Sequence, residues 1–239
     1  QRYELTMQKH LWTLVAGIFL SATALLGQNS DQGNWLMYFG NHKLSKGWSV
    51  HTELQYRHHS LVPNNPEQVL SRVGLNYHAS ATTMLTAGYG FIPSYADPGE
   101  LGDPSTVEHR IWQQMILVHK DSRVKFEHRC RVEQRWVDDK EDNIDTWSYK
   151  GRLRYRLMLT IPIGKPNLED KTWFVGVYDE VFINTQRTFF DRNRLYAAAG
   201  YKLNSQLSFQ AGVLHQEVQS SGGKFYAQFA VFLNTGSWE

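Results

Sequence analysis

The stretch VKFEHRCRVEQRW, from Val124 to Trp136, sorts its residues by parity. Val124, Phe126, His128, Cys130, Val132, Gln134 and Trp136 form a mostly apolar set, and the alternates Lys125, Glu127, Arg129, Arg131, Glu133 and Arg135 are all charged. A helix would scatter both sets around its circumference, whereas a strand puts them on opposite faces. The same period recurs in WSVHTELQYRHH (48–59), where Trp48, Val50, Leu54 and Tyr56 alternate with Ser49, His51, Glu53, Gln55 and Arg57. It recurs again in WSYKGRLRYRLMLTI (147–161), and more softly in LSFQAGV and KFYAQFAVFLN. Long two-faced strands therefore dominate the chain.

The pattern predicts strands over 34–43, 48–59, 68–78, 84–92, 107–119, 124–136, 147–161, 172–184, 191–203, 206–217 and 224–234. Tight links (LSKG, SATT, KDSR, NSQ) alternate with longer polar ones (LVPNNPEQ, PSYADPGELGDPST, VDDKEDNID), and PIGKPNLEDK breaks the alternation. No linker or low-complexity segment divides the chain, so one domain is expected over 28–239. Before it, residues 1–6 read as an upstream extension and 7–27 as a cleaved signal peptide. MQKH supplies a positive start, LWTLVAGIFLSATALL an apolar core, and Ala22-Thr23-Ala24 a small-x-small cleavage pattern. Past that segment no apolar run reaches the roughly 20 residues of a membrane-spanning helix. A net charge of +2 marks no nucleic-acid binder. The single cysteine, Cys130, permits no internal disulfide or cysteine-based metal site, and its place on the apolar face suits a structural thiol.

Two architectures use such strands. A soluble barrel or sandwich turns the apolar face inward, and a transmembrane barrel turns it outward to lipid. Strand length favours the second, because a tilted crossing strand needs about 9–11 residues. So do the alternating link lengths, and the aromatics at the ends of the apolar faces: Trp48, Tyr56, Tyr77, Trp136, Trp147, Tyr149, Trp173 and Tyr201. The expected fold is all-β: a closed antiparallel transmembrane β-barrel of 10–12 strands with tight periplasmic turns and longer extracellular loops. An even count, ten or twelve, is the usual bacterial habit, which leaves 34–43 as an extra strand, a lumen insert or half of a pair.

Four segments carry a family resemblance: EHRIWQQ (108–114), DEVFINT (179–185), FFDRNRLYAAAGY (189–201) and the early NW at 34–35. With them the chain resembles the uncharacterised bacterial outer-membrane β-barrel family called domain of unknown function 2490. The resemblance implies a barrel in the outer membrane of a Gram-negative bacterium, without an established activity, and carries no catalytic residue onto these positions.

Taking Asp121-Ser122 as a two-residue turn sets Arg110 opposite Glu133 and Glu108 opposite Arg135. Setting Trp136 opposite Trp147 brings Glu133 to Lys150 and Glu127 to Arg156. Glu108, Arg110, Glu127, Glu133, Arg135, Lys150 and Arg156 thus form an expected lumen ion-pair network. The same register opposes Arg131 to Arg152 and Arg129 to Arg154, beside Trp112 and Gln114. Opposed like charges need an acceptor, which could be Glu180, Glu53 or an external anion such as a lipid phosphate. Arg129, Arg131, Arg152, Arg154 and Trp112 are therefore the candidate anion site.

Other signals are weaker. In RHHS (57–60) His58 and His59 point to opposite faces and cannot share a metal. His51 and Glu53 share the inner face, but no pattern places a serine to complete a hydrolase site. His128 and Asp179 fall on the apolar face; a bulge near Asp179 would return it to the lumen. GYGF (88–91) lacks the context of a phosphate loop. The expected function is an integral outer-membrane barrel, structural or weakly channel-forming with a basic lumen, without catalytic residues, metal or cofactor. Its expected partners are outer-membrane lipid, the outer-membrane assembly machinery and a small anion or lipid phosphate. The alternatives are a lipid-modifying hydrolase on the same barrel and a secreted soluble barrel for a small apolar ligand.

Overall fold

The computed structural model describes residues 32–96, 102–139, 147–186 and 188–236. The upstream extension and signal peptide expected over 1–27 lie outside these residues. Eleven strands are present among the described residues: β1 (Gln32–Ser45), β2 (Trp48–His58), β3 (Pro66–His78), β4 (Thr83–Ser94), β5 (Thr106–Asp121), β6 (Val124–Asp139), β7 (Trp147–Pro162), β8 (Thr172–Asn184), β9 (Phe190–Lys202), β10 (Leu207–Val218) and β11 (Gly222–Thr235). Each expected strand is found, with ends displaced by three residues or fewer. The strands follow chain order around a closed barrel, and the described residues contain no helix.

Among the described residues the count is eleven, within the expected 10–12 but odd where an even number was expected, and one strand pair is parallel. Residues 34–43 belong to the extra strand β1, which runs parallel to β11 and pairs in register from Gln32–Phe225 to His42–Thr235. All other neighbours are antiparallel. An odd count forces this, since β1 and β11 both run from the long-loop rim to the tight-turn rim. The link expected to break the alternation does so, 163–171 being long at the turn rim, and 219–221 is a further exception, short at the loop rim.

Parity holds along the walls. Leu54, Leu75, Ile111, Val132, Leu153 and Phe229 are exposed on the outside, while Glu53, Asn76, Arg110, Arg131, Arg154 and Gln228 are buried inside. Near the turn rim the outer surface carries the ring pairs Trp48–Tyr77 (4.8 Å), Trp173–Tyr201 (4.9 Å) and His119–Phe126 (4.7 Å). Near the loop rim it carries Trp136–Tyr149 (5.5 Å) and His109–Trp147 (5.2 Å). His128 belongs to the lower belt: it lies 5.2 Å from the His119 ring and its Nδ1 is 2.8 Å from Tyr155 Oη. Asp179 stays outside. The β8–β9 register shift falls further on, at Phe182/Ile183, and Asn193 Nδ2 donates to both Asp179 carboxylate oxygens. Cys130 is exposed on the outer face.

Both central registers differ from expectation by two residues. The β5–β6 turn is Ser122-Arg123, with Asp121 opposite Val124, because Ser122 takes the positive φ of 52° that a primed hairpin turn requires. Arg110 therefore faces Arg135, Trp112 faces Glu133 and Gln114 faces Arg131. Across β6–β7, Trp136 faces Tyr149, which sets Glu133 opposite Arg152, Arg131 opposite Arg154 and Arg129 opposite Arg156. A two-residue slip preserves every side chain's face.

Candidate functional site

The strands bring an arginine–glutamate cluster into the lumen. Glu133 is at its centre with no exposed surface. Arg152 Nη2 and Nε donate to Glu133 Oε2 at 2.6 and 2.9 Å, and Arg154 Nη1 donates to Oε1 at 2.8 Å. Arg110 (3.4 Å), Arg72 (3.8 Å) and Arg131 (3.8 Å) complete a ring of five guanidiniums around one carboxylate. Glu180 accepts from Arg129 at 2.7 Å and from Arg154 Nε at 3.0 Å. Glu108 takes Arg110 and Arg135, each at 2.6 Å, and Glu53 takes Arg72 at 2.9 Å. Glu127 takes Arg156 at 2.5 Å. Ions this deep persist only when paired and hydrogen-bonded.

Three expected pairs form despite the displaced register: Arg110–Glu133, Glu108–Arg135 and Glu127–Arg156. Long guanidinium arms reach diagonal positions across the sheet. The Glu133–Lys150 pair does not form, because Lys150 is exposed at the loop rim and Arg152 occupies its place. The four arginines of the candidate anion site line one cavity, but Arg131 faces Arg154 and Arg129 faces Arg156 in place of the expected Arg152 and Arg154. Arg129, Arg152 and Arg154 are engaged by Glu180, Glu133 and Asp191, whereas Arg131 donates twice to Gln114 Oε1, at 3.0 and 2.7 Å. Its guanidinium also lies 4.7 Å from the Trp112 ring centroid. Trp112 fits because Gly74 and Gly88 lie beneath it; a Cβ on Gly88 would come within 2.7 Å of the indole.

Sequence reasoning missed the aromatic half of this cluster. Phe182 receives Arg154 at 4.3 Å and Arg194 at 4.7 Å, and Trp35 receives Arg57 at 3.9 Å and Arg194 at 4.8 Å. Trp35 also packs with Tyr196, Leu214 and Tyr226 on the β9–β1 side of the lumen. Parity alone could have assigned these residues inward, but their strands alternate softly. Ser49 was missed as well: its Oγ lies 3.0 Å from His78 Nε2 and accepts from Asn76 at 3.0 Å, but Ser49 has no exposed surface. His51 reaches Glu53 at 3.3 Å, and His58, also fully buried, holds Asn34 Oδ1 at 2.9 Å.

What space remains is a cavity of about 710 Å3, lined from the turn-rim residues Ser80–Thr83 and Asn204–Gln206 up to Gln68 and Gln216. Its walls carry eleven arginines and two lysines against five glutamates.

Fold and site together define a closed β-barrel with an arginine–glutamate cluster packed into its interior. The family described as protein of unknown function (DUF2490) matches residues 32–227, most of the chain, and the chain belongs to that family. No curated protein matches it.

Proposed function

We propose that this protein is an integral barrel of the bacterial outer membrane, structural or at most weakly conducting, with a basic lumen. The observation that carries this reading is the inverted surface. Large apolar side chains are exposed outside while glutamates and arginines are buried inside, the reverse of a soluble barrel for an apolar ligand. The belts support it too. Phe126 and Trp136 are ten residues apart on β6, which at about 3.3 Å per residue and a tilt near 40° separates them by roughly 25 Å, the height of an outer-membrane apolar band. Outer-membrane lipid then covers the outside, and the outer-membrane assembly machinery inserts the barrel. The ion pairs packed across the lumen argue against a general pore. The hydrolase alternative lacks support, because Ser49, the serine beside a histidine, has no surface for a substrate to reach.

Two measurements test the proposal. The refolded protein should need detergent and shift its gel mobility on boiling, and in planar bilayers it should show little or no conductance, with any current favouring anions. A chain that stays monomeric in buffer without detergent overturns the membrane reading, and large unselective channels overturn the packed lumen.

A further inference from the structure

The turn half of the lumen has two unlike walls. β6 and β7 contribute Lys125, Arg129, Arg131 and Arg156, all lining the cavity. Glu127 and Glu180 are the carboxylates lining the cavity among them, Glu180 is shared with Arg154, and Glu133 stands 3.8 Å from Arg131 within a ring of four other arginines. Donors are left over: the Nε atoms of Arg129 and Arg156 have no hydrogen-bond partner within the protein, and both Arg131 bonds go to one amide oxygen. In a ring of eleven strands β6 faces β1 and β11. There the cavity is lined by Met37, Phe39, Ala230 and Phe232, with Phe39 and Phe232 stacked at 5.0 Å and the bonded amides of Asn41 and Asn234 beyond them towards the rim. A cationic wall opposite an apolar one, in a chamber reaching the turn rim, is complementary to a molecule with an anionic end and an apolar body. The chamber is the turn-side part of the 710 Å3 cavity, whose whole volume falls within the roughly 300–1,000 Å3 typical of ligand pockets. A bare anion would leave the phenylalanine wall facing water, and an uncharged chain would leave the spare guanidinium donors unmet.

We propose that this chamber binds a single-chain amphiphile with an anionic head, a carboxylate or a phosphate monoester, entering from the turn rim. The head bonds to Arg129 and Arg131, whose planar forks match its oxygens, and the tail lies along Met37, Phe39 and Phe232. The inference rests on the outer-membrane reading, in which the turn rim faces the periplasm.

Equilibrium dialysis of the full barrel in phosphatidylcholine nanodiscs, with empty nanodiscs as the blank, tests it. The probes are decanoate, decyl phosphate, decyltrimethylammonium and inorganic phosphate. One saturable site per barrel is expected for decanoate, decyl phosphate or both, and the tighter of the two identifies the head. Decyltrimethylammonium, which loses the charge-assisted hydrogen bonds, and inorganic phosphate, which loses burial of the tail, should each bind at least about tenfold more weakly. Arg129→Gln/Arg131→Gln should lose binding by a similar factor. Ser208→Trp, which narrows the mouth beside Phe232 and leaves every cation in place, should abolish it. Heat-modifiable mobility shows that each variant is folded. Equal binding of the cationic probe, inorganic phosphate as tight as decyl phosphate, full binding by Ser208→Trp, or no saturable site in a folded barrel each overturns the proposal while the membrane reading stands. A chain dispersed without detergent overturns the membrane reading instead, and the same titration in buffer then decides the ligand.

Discussion

Glu133→Gln isolates the electrostatic role of the lumen. Glutamine keeps the shape and one acceptor oxygen but removes the charge that five arginines share. Three short hydrogen bonds, at 2.6, 2.8 and 2.9 Å, lose their ionic acceptor. Removing one partner of a buried ion pair costs about 3–5 kcal/mol, because the remaining charge stays desolvated. The remaining carboxylates around Glu133 are already engaged by Arg129, Arg135 or Arg192, so the full range is expected. Urea unfolding in phosphatidylcholine vesicles, followed by tryptophan fluorescence and gel mobility, reads the loss as a lowered midpoint. Glu169→Gln is the control: its pair with Lys165 at 3.5 Å is exposed, and its loss should fall within about 0.5 kcal/mol. Added phosphate should recover part of the Glu133→Gln deficit by neutralising the freed guanidiniums. A loss below about 1 kcal/mol would refute the claim that Glu133 organises the cluster.

Trp112→Ala should open the lumen between Gly74 and Gly88, raise single-channel conductance with anion preference, and cost about 3–5 kcal/mol of stability; unchanged conductance would put the constriction elsewhere. Cys130, exposed on the outer face, should react in vesicles with an apolar maleimide and resist a charged thiol reagent, and equal rates would mean that water reaches that face. Met37→Cys with Ala230→Cys in a Cys130→Ser background should form a disulfide on oxidation, because these positions are register partners across the parallel β1–β11 pair. Its absence in a folded barrel would rule out this closure.

Strand positions and faces were legible because each side of a strand shows itself every second residue. Registers were not, since a slip of two leaves that pattern unchanged; only the turn at Ser122-Arg123 decides between alternatives, and its sequence accommodates both. The charge pairs survived the slip because arginine arms reach diagonally, whereas Lys150, near the rim, did not find Glu133. The odd strand count was hidden for a different reason: parallel closure between the first and last strands leaves no mark in local alternation. Phe182 and Trp35 stayed unassigned because a partner's contribution to a cation–aromatic contact comes from strands distant in sequence.

The parallel seam separates the domain's two ends. Gln32 lies at one mouth of the cylinder and Thr235 at the other. If the barrel spans a membrane as proposed, one of these two ends must be carried through to the opposite compartment before the ring shuts, whichever side delivers the polypeptide. Splicing Gln32 to Thr235 would likewise demand a tether as long as the cylinder itself.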